Sequence, residues 1–336
     1  MTRAAEIAGF LAAGGWGGAT RAPLAGDASA RRYERLRRGA AGAILMDVPP
    51  ESGLKVGPFL AVDAWLRAAR FSAPEVLAAD QARGLVLIED LGDDLFARLC
   101  AAAPAREAGL YAAAIDLLAD LQRLPPPAGA WTPPPYDLAF LGREAMLALD
   151  WYLPAATGAA APPDLVAEFQ AAAAAAFAPF AAPAVAVYRD YHAENLIWLP
   201  RRAGHARVGL LDFQDMLVGH PAYDVVSLLE DARRDVAPAL RAGMLARYRE
   251  RSGAEAGALD HAAHALAAQR NLKIVGLFAR LARRDGKPRY LDYLPRVWGY
   301  LAEDLKHPAL ARLAALVGRH LPPPDPTVIA RIGAAA

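Results

Sequence analysis

Short apolar runs broken by Gly and Pro fill the first ninety or so residues, whereas longer alanine- and leucine-rich stretches at helical spacing fill the rest. In the first part the pattern predicts a helix near 3–13 stopped by the glycine cluster AGGWGG, and strands around 30–38 and 41–48. A helix over about 57–70 and a buried strand at GLVLIED follow. Between Arg106 and Leu124, the residues Leu110, Leu117, Leu121 and Leu124 fall near one helical face, and the prolines at 125–127 end that helix. A second triple proline at 133–135 precedes a predicted helix containing REAMLALDWYL, and 221–318 reads as helical with no internal repeat. The run 171–188 is mostly alanine and is broken by Pro179 and Pro183, so it predicts a helix end followed by a strand, not a membrane span. The Pro-rich tail after Leu321 is expected to be extended. The change of pattern predicts an α+β fold in two lobes, a small β-rich one at 1–91 and a large helical one at 92–336.

One stretch carries recognisable chemistry. In PAVAVYRDYHAENLIWLP an apolar run leads into a polar loop and a strand, and RVGLLDFQD supplies a second buried strand ending in acids. Asp190 precedes Asn195 by five positions, and Asp212 stands 17 residues beyond Asn195. A loop carboxylate that orients a hydroxyl, with a carboxylate and an amide oxygen for a hard cation, is what phosphoryl transfer needs, because its loose transition state is helped mostly by positioning and charge neutralisation. Asp190 is the candidate base, and Asn195 and Asp212 the candidate magnesium ligands.

RDYHAEN resembles the kinase catalytic loop, and LLDFQD resembles the metal-binding turn of the aminoglycoside phosphotransferase and choline kinase superfamily, which has a protein-kinase-like fold. The resemblance implies ATP and Mg2+ as cofactors. It makes Asp224, in PAYDVVSLL, the aspartate that supports the catalytic loop, and Tyr188 a replacement for the usual His. It likens GDASARRYERL to the phosphate-covering turn, with Gly26, Asp27, Ser29 and Arg31 on the nucleotide, and LVLIEDLGDDL to the hinge, with Glu89 and Leu91 beside adenine. Met46 stands where kinases keep a phosphate-gripping lysine, leaving Arg31 or Arg32 to supply the charge; Asp63 is expected to be a solvated or capping residue. MDVPPE and QRNLKIVGLFARLARRDGKPRYL extend the likeness to bacterial anomeric kinases of N-acetylmuramate and N-acetylglucosamine used in cell-wall sugar recycling. Glu144, Asp150, Trp151, His192, Gln214 and Arg280 are then the acceptor-side candidates, although a core tryptophan and a solvated basic helix face explain Trp151 and the Arg280 region equally well.

Composition narrows the rest. Thirty-seven basic against thirty-six acidic residues leave a net charge of +1, which gives no global attraction to nucleic acid. One cysteine excludes an internal disulfide, in keeping with a cytoplasmic protein, and the N-terminal stretch, with no long apolar run and with Glu6 inside it, argues against a signal peptide. A small-molecule acceptor and a monomer or weak dimer are expected. An aminoglycoside or other small-alcohol phosphotransferase and a non-catalytic nucleotide-binding pseudokinase remain as alternatives.

Overall fold

The computed structural model describes residues 2–24, 30–129 and 131–334, and its described residues divide into two compact units. The first comprises 1–113, 127–132 and 194–216; the second comprises 114–126, 133–193 and 217–336. Where a single break after residue 91 was expected, the strand-rich unit also takes in the segment that carries Asn195 and Asp212.

The chain opens with α1 (Arg3–Ala13), followed by β1 (Thr20–Pro23), β2 (Arg32–Arg38), β3 (Ala41–Asp47), α2 (Gly57–Ala68), β4 (Val76–Asp80), β5 (Leu85–Glu89) and α3 (Phe96–Ala102). The strands form an antiparallel sheet in the order β1-β2-β3-β5-β4. Alternation sorts its side chains onto two faces. Leu36 opposite Ala43 and Leu45 opposite Leu87 join Leu85 on one face, where Ile7 and Leu11 of α1 and Trp16 cover them. Arg35, Ile44 and Ile88 form a row on the other face, which is left to line a cavity. Asp63 corrects the expectation of a solvated residue: it lies in the middle of α2, 3% exposed, because it shares a helix side with Phe59, Val62 and Leu66, and burial pushes its carboxyl up to about 7.

Helix α4 (Glu107–Leu121) leads to α5 (Leu138–Ala145), a π turn over Ala148–Tyr152, α6 (Leu153–Thr157), α7 (Pro163–Phe177) and β6 (Val185–Val187). The expected single helix through REAMLALDWYL is therefore interrupted. After β7 (Leu196–Trp198) and β8 (Val208–Leu210), which pair with each other, come β9 (Leu217–Gly219), paired with β6, and α8 (Ala222–Leu229). The remainder is α9 (Pro238–Ser252), α10 (Ala256–Arg283), α11 (Leu294–Asp304), α12 (Ala311–His320) and α13 (Pro326–Gly333).

The 28-residue α10 is the axis of the second unit and is capped by Glu255, whose carboxylate accepts the N–H groups of Gly257 and Ala258 at 2.9 and 2.6 Å. The tail is not extended throughout. Asp325 accepts the N–H of Val328 at 2.8 Å, Pro326 occupies the first turn, and Val328 and Ile332 bury one face, so the last segment closes as α13. No helix among the described residues is long and apolar enough to cross a membrane.

Candidate active site

Within the strand-rich unit a cavity of about 280 Å3 opens against the uncovered sheet face. Ile44 and Ile88 form its floor, and Phe59 of α2 stacks on Phe213 with ring centroids 5.0 Å apart to form an apolar wall. Glu89 and Leu91, at the end of β5, line one side, and Arg31, Asn195 and Asp212 line the same cavity. The β7–β8 pairing explains the last two: Leu196 faces Leu210 and the N–H of Leu211 donates to the Asn195 carbonyl at 3.0 Å, so Asp212 follows directly after the pairing partner of Asn195. Asp212 has φ +61, a left-handed conformation that costs a non-glycine residue about 1–3 kcal/mol and tends to persist where function requires it. Gln214 fixes its carboxylate by donating to Asp212 Oδ1 at 2.7 Å and to Asp215 Oδ2 at 3.0 Å.

The cations of this cavity are sorted by their partners. Arg31 is 9% exposed and its guanidinium lies 3.9 Å from Asp215, whereas Arg32 is exposed. Arg35, also in the cavity lining, is tied to the acidic turn after β5, 3.0 Å from Asp90 and 2.8 Å from Asp93. Met46 is fully buried and brings no charge.

Asp190 belongs to the helical unit, and the chain passes from that unit into the other between Ala193 and Glu194, inside the RDYHAEN motif. The loop is held from beneath by Asp224, a fully buried residue in the first turn of α8, which accepts the N–H of Tyr188 at 2.6 Å and of Arg189 at 2.8 Å. Burial pushes the Asp224 carboxyl up to about 7, although both N–H bonds pull it down. Tyr188 and Tyr191 pack edge to face at 5.3 Å, and the Tyr191 hydroxyl donates to the Ala114 carbonyl at 2.8 Å. Arg189 has φ +75, a left-handed conformation of the kind found at Asp212. Burial works to raise the Asp190 carboxyl, but the charges of Lys273, Arg189 and Arg270 outweigh it and hold the group below its usual range. An ionised carboxylate on a braced, strained loop can receive a hydroxyl proton.

With this geometry the chain can be compared with known proteins. A profile of the family described as "Phosphotransferase enzyme family" matches residues 20–259. The chain belongs to that phosphotransferase family. The phosphotransferase is 43% identical to the N-acetylmuramate/N-acetylglucosamine kinase of Caulobacter vibrioides over 95% of its own length and 97% of that protein's. It is 36% identical to the Pseudomonas putida protein of the same name, over 87% and 85% of the two chains. Among solved structures, a choline/ethanolamine kinase family protein from Mesorhizobium loti shares its fold, with a TM-score of 0.58 at 19% identity over 94% and 99% of the chains. So does an aminoglycoside phosphotransferase from Streptomyces rimosus in complex with ADP and streptomycin, with a TM-score of 0.53 at 20% identity over 82% and 99%. The fold of this phosphotransferase is the two-lobed, protein-kinase-like one.

The remaining expected site residues are placed as follows. Gly26, Asp27 and Ser29 lie outside the described residues. His192 is buried, and burial pushes its imidazole down to about 4; its Nε2 faces Arg233 Nη1 at 3.4 Å, and since a guanidinium only donates, Nε2 accepts. Glu144 is buried rather than open to an acceptor, engaged by Arg189 at 2.5 Å, by Lys273 at 3.4 Å and by the Tyr136 hydroxyl. Asp150 opens on a separate hollow of about 550 Å3 between α5, the π turn and α7, and Trp151 is half-buried in that turn. Arg280 is half-buried near the end of α10, where burial and the charge of Arg284 lower its pKa. The basic face expected on this helix is divided: Arg270 and Lys273 are buried, whereas Arg284 is exposed and bound to Asp285 at 2.7 Å.

Two groups escaped the sequence reading. Arg35 was signalled by its place two residues after Tyr33 in an alternating strand followed later by the acidic LGDD turn. The Glu144–Lys273 pair joins residues 129 positions apart and carried no local signal.

Proposed function

We propose that this phosphotransferase uses ATP to phosphorylate the anomeric hydroxyl of N-acetylmuramate and N-acetylglucosamine. The observation that carries this reading is the 43% identity, over nearly the full length of both chains, to a kinase named for those two sugars. The cavity between Ile44, Ile88, Phe59 and Phe213 suits adenine, with the main chain at Glu89 and Leu91 as its polar edge and Arg31 as the cation for the phosphates. Among the described residues no three His, Cys, Asp or Glu side chains form a metal cage, so a hard cation would take its ligands from Asp212, Asn195 and the nucleotide's own phosphates. Magnesium held there supplies charge neutralisation on the phosphate oxygens.

Asp190 accepts the proton of the sugar hydroxyl as that oxygen bonds to the γ-phosphorus and the bond to the ADP oxygen breaks; the proton then passes to solvent. The cations Lys273, Arg189 and Arg270 that hold Asp190 ionised also oppose a polycationic aminoglycoside as acceptor. The same reading has the enzyme working in the cytoplasm, where ATP is found, as a monomer or weak dimer independent of nucleic acid and membrane.

The test is ATP consumption across a panel of amino sugars and aminoglycosides, with phosphorus NMR of the product. A phosphate on the anomeric oxygen of either N-acetylated sugar is expected. Turnover confined to aminoglycosides, or a phosphate on another sugar oxygen, would sink the reading.

A further inference from the structure

Arg189 is doubly constrained. Its N–H is bound by Asp224 at 2.8 Å while its guanidinium donates to Glu144 Oε1 at 2.5 Å, and between those two attachments its backbone sits at φ +75. Glu144 is itself fixed from a third direction, because Lys273 Nζ of α10 lies 3.4 Å from the same Oε1 and the Tyr136 hydroxyl donates to Oε2. Lys273 also reaches the Tyr223 hydroxyl at 3.4 Å, one residue before Asp224. Gln269, one turn earlier on α10, donates to the Leu141 carbonyl at 3.0 Å and so anchors α10 to α5 beside Glu144. Two cations around one carboxylate leave a net charge of +1, and one of the two, the half-buried Arg189, is next in sequence to Asp190.

We propose that Glu144 and Lys273 are positioning residues for phosphoryl transfer: Glu144 clamps the strained Arg189 peptide that presents Asp190, and Lys273 supplies the excess positive charge that keeps Asp190 ionised. This deepens the kinase reading given above and rests on it. Both side chains are buried and paired with protein groups. Each acts through Asp190, whose surroundings are Arg189 and His192 on its own loop, Lys273 and Arg270 on α10, and Asp224 on α8. The Glu144 carboxyl is itself held down to about 2: burial opposes ionisation, and Lys273 and Arg189 more than reverse it.

The two residues should fail in different ways, which a merely structural role would not produce. Removing Lys273 takes away a favourable charge, so the acid limb of the kcat profile, set by Asp190, should move up by about one pH unit or more. Replacing Glu144 by glutamine removes a negative charge, so that limb should not rise, while release of Arg189 should lower the plateau kcat by about tenfold or more. Lys273→Arg should restore the wild-type limb.

The experiment measures kcat and KM against pH from 4 to 8 with N-acetylglucosamine and magnesium ATP for wild type, Lys273→Met, Lys273→Arg and Glu144→Gln, with a thermal melt of each. A raised limb in Lys273→Met, restored in Lys273→Arg and absent from Glu144→Gln, with KM for ATP unchanged, is the expected result. Should Lys273→Met not fold, Glu144→Gln decides through its plateau kcat. Superimposable limbs for Lys273→Met and wild type, or a wild-type plateau in Glu144→Gln, would overturn the inference. Failure of the wild-type enzyme to phosphorylate the sugar would instead overturn the kinase reading beneath it.

Discussion

Asp224 holds Arg189 by its main chain: the carboxylate accepts the Arg189 N–H at 2.8 Å, with the Tyr188 N–H on its other oxygen at 2.6 Å. Asp224→Ala leaves two buried donors without this acceptor, at a cost of about 1–3 kcal/mol each. The midpoint of urea unfolding should fall, and kcat should fall further than the loss of folded protein accounts for, because the loop presenting Asp190 slackens. A variant with wild-type kcat per folded molecule would show that the loop does not depend on this bond.

Asp190 and Asp212 are expected to fail differently. Asp190→Ala removes the proposed proton acceptor and should reduce kcat by about 100- to 10,000-fold while nucleotide binding, measured by calorimetry, survives. Asp212→Ala removes a cavity carboxylate, so its signature should be a higher magnesium requirement and weaker magnesium-nucleotide binding. An Asp212→Ala enzyme with an unaltered magnesium titration would remove that residue from the metal site.

The charge missing at Met46 should reside in Arg31. This side chain lines the cavity proposed for the nucleotide, whereas Arg32 is exposed and Arg35 is committed to Asp90 and Asp93. Arg31→Met is expected to raise KM for ATP by about tenfold, corresponding to about 1.4 kcal/mol, and Arg32→Met to leave it unchanged. Equal effects in the two variants would count against the assignment.

How much of this was legible in the sequence depended on the range over which each interaction acts. The strands and the RDYHAEN and LLDFQD segments are set by local alternation and spacing, and β2, β3, β5 and α2 lie within a few residues of where the pattern predicts them. Asp63 misled because a single acid in a helix says nothing of which side the fold will bury. The π turn at Ala148–Tyr152 misled because it arises where α10 presses on that segment, a contact between residues about 130 positions apart. The pairing of Glu144 was illegible for the same reason: the two cations that claim it come from distant parts of the chain.

Stability should fall as pH rises above about 6.5. The carboxyls of Glu230 and Asp304 are buried together, with Asn271 donating to them at 2.7 and 3.1 Å, and desolvation raises the pKa of both. A carboxyl with a raised folded-state pKa contributes stability that is complete below its unfolded value and lost as pH climbs through the folded one. Asp63 and Asp224, each raised to about 7, act in the same direction. Glu144, lowered to about 2, has its full contribution above the ordinary carboxylate range, and His192, lowered from 6.5 to about 4, adds nothing further above 6.5. The Tm should therefore decline between pH 6.5 and 8.5, and Glu230→Gln should flatten that decline. A Tm that rises across this window would refute the assignment of these acids as protonated in the fold.

At Gly276 the backbone of α10 lies close against the interrupted helix. A Cβ built there would sit 2.1 Å from both the carbonyl carbon and the oxygen of Leu147 and 2.6 Å from the N of Ala148. These are backbone atoms, so no side chain can rotate away; Gly276→Ala must push α10 off the π turn. Overpacking of this kind costs about 1–3 kcal/mol, against which the helix propensity gained by replacing glycine returns at most about 1 kcal/mol. Because α10 also carries Lys273, the displacement should lower kcat as well as Tm, whereas Gly299→Ala on α11, where a Cβ meets nothing within 4 Å, should leave kcat at the wild-type level. A Gly276→Ala enzyme as stable and as active as wild type would mean that the contact between α10 and the π turn yields without cost.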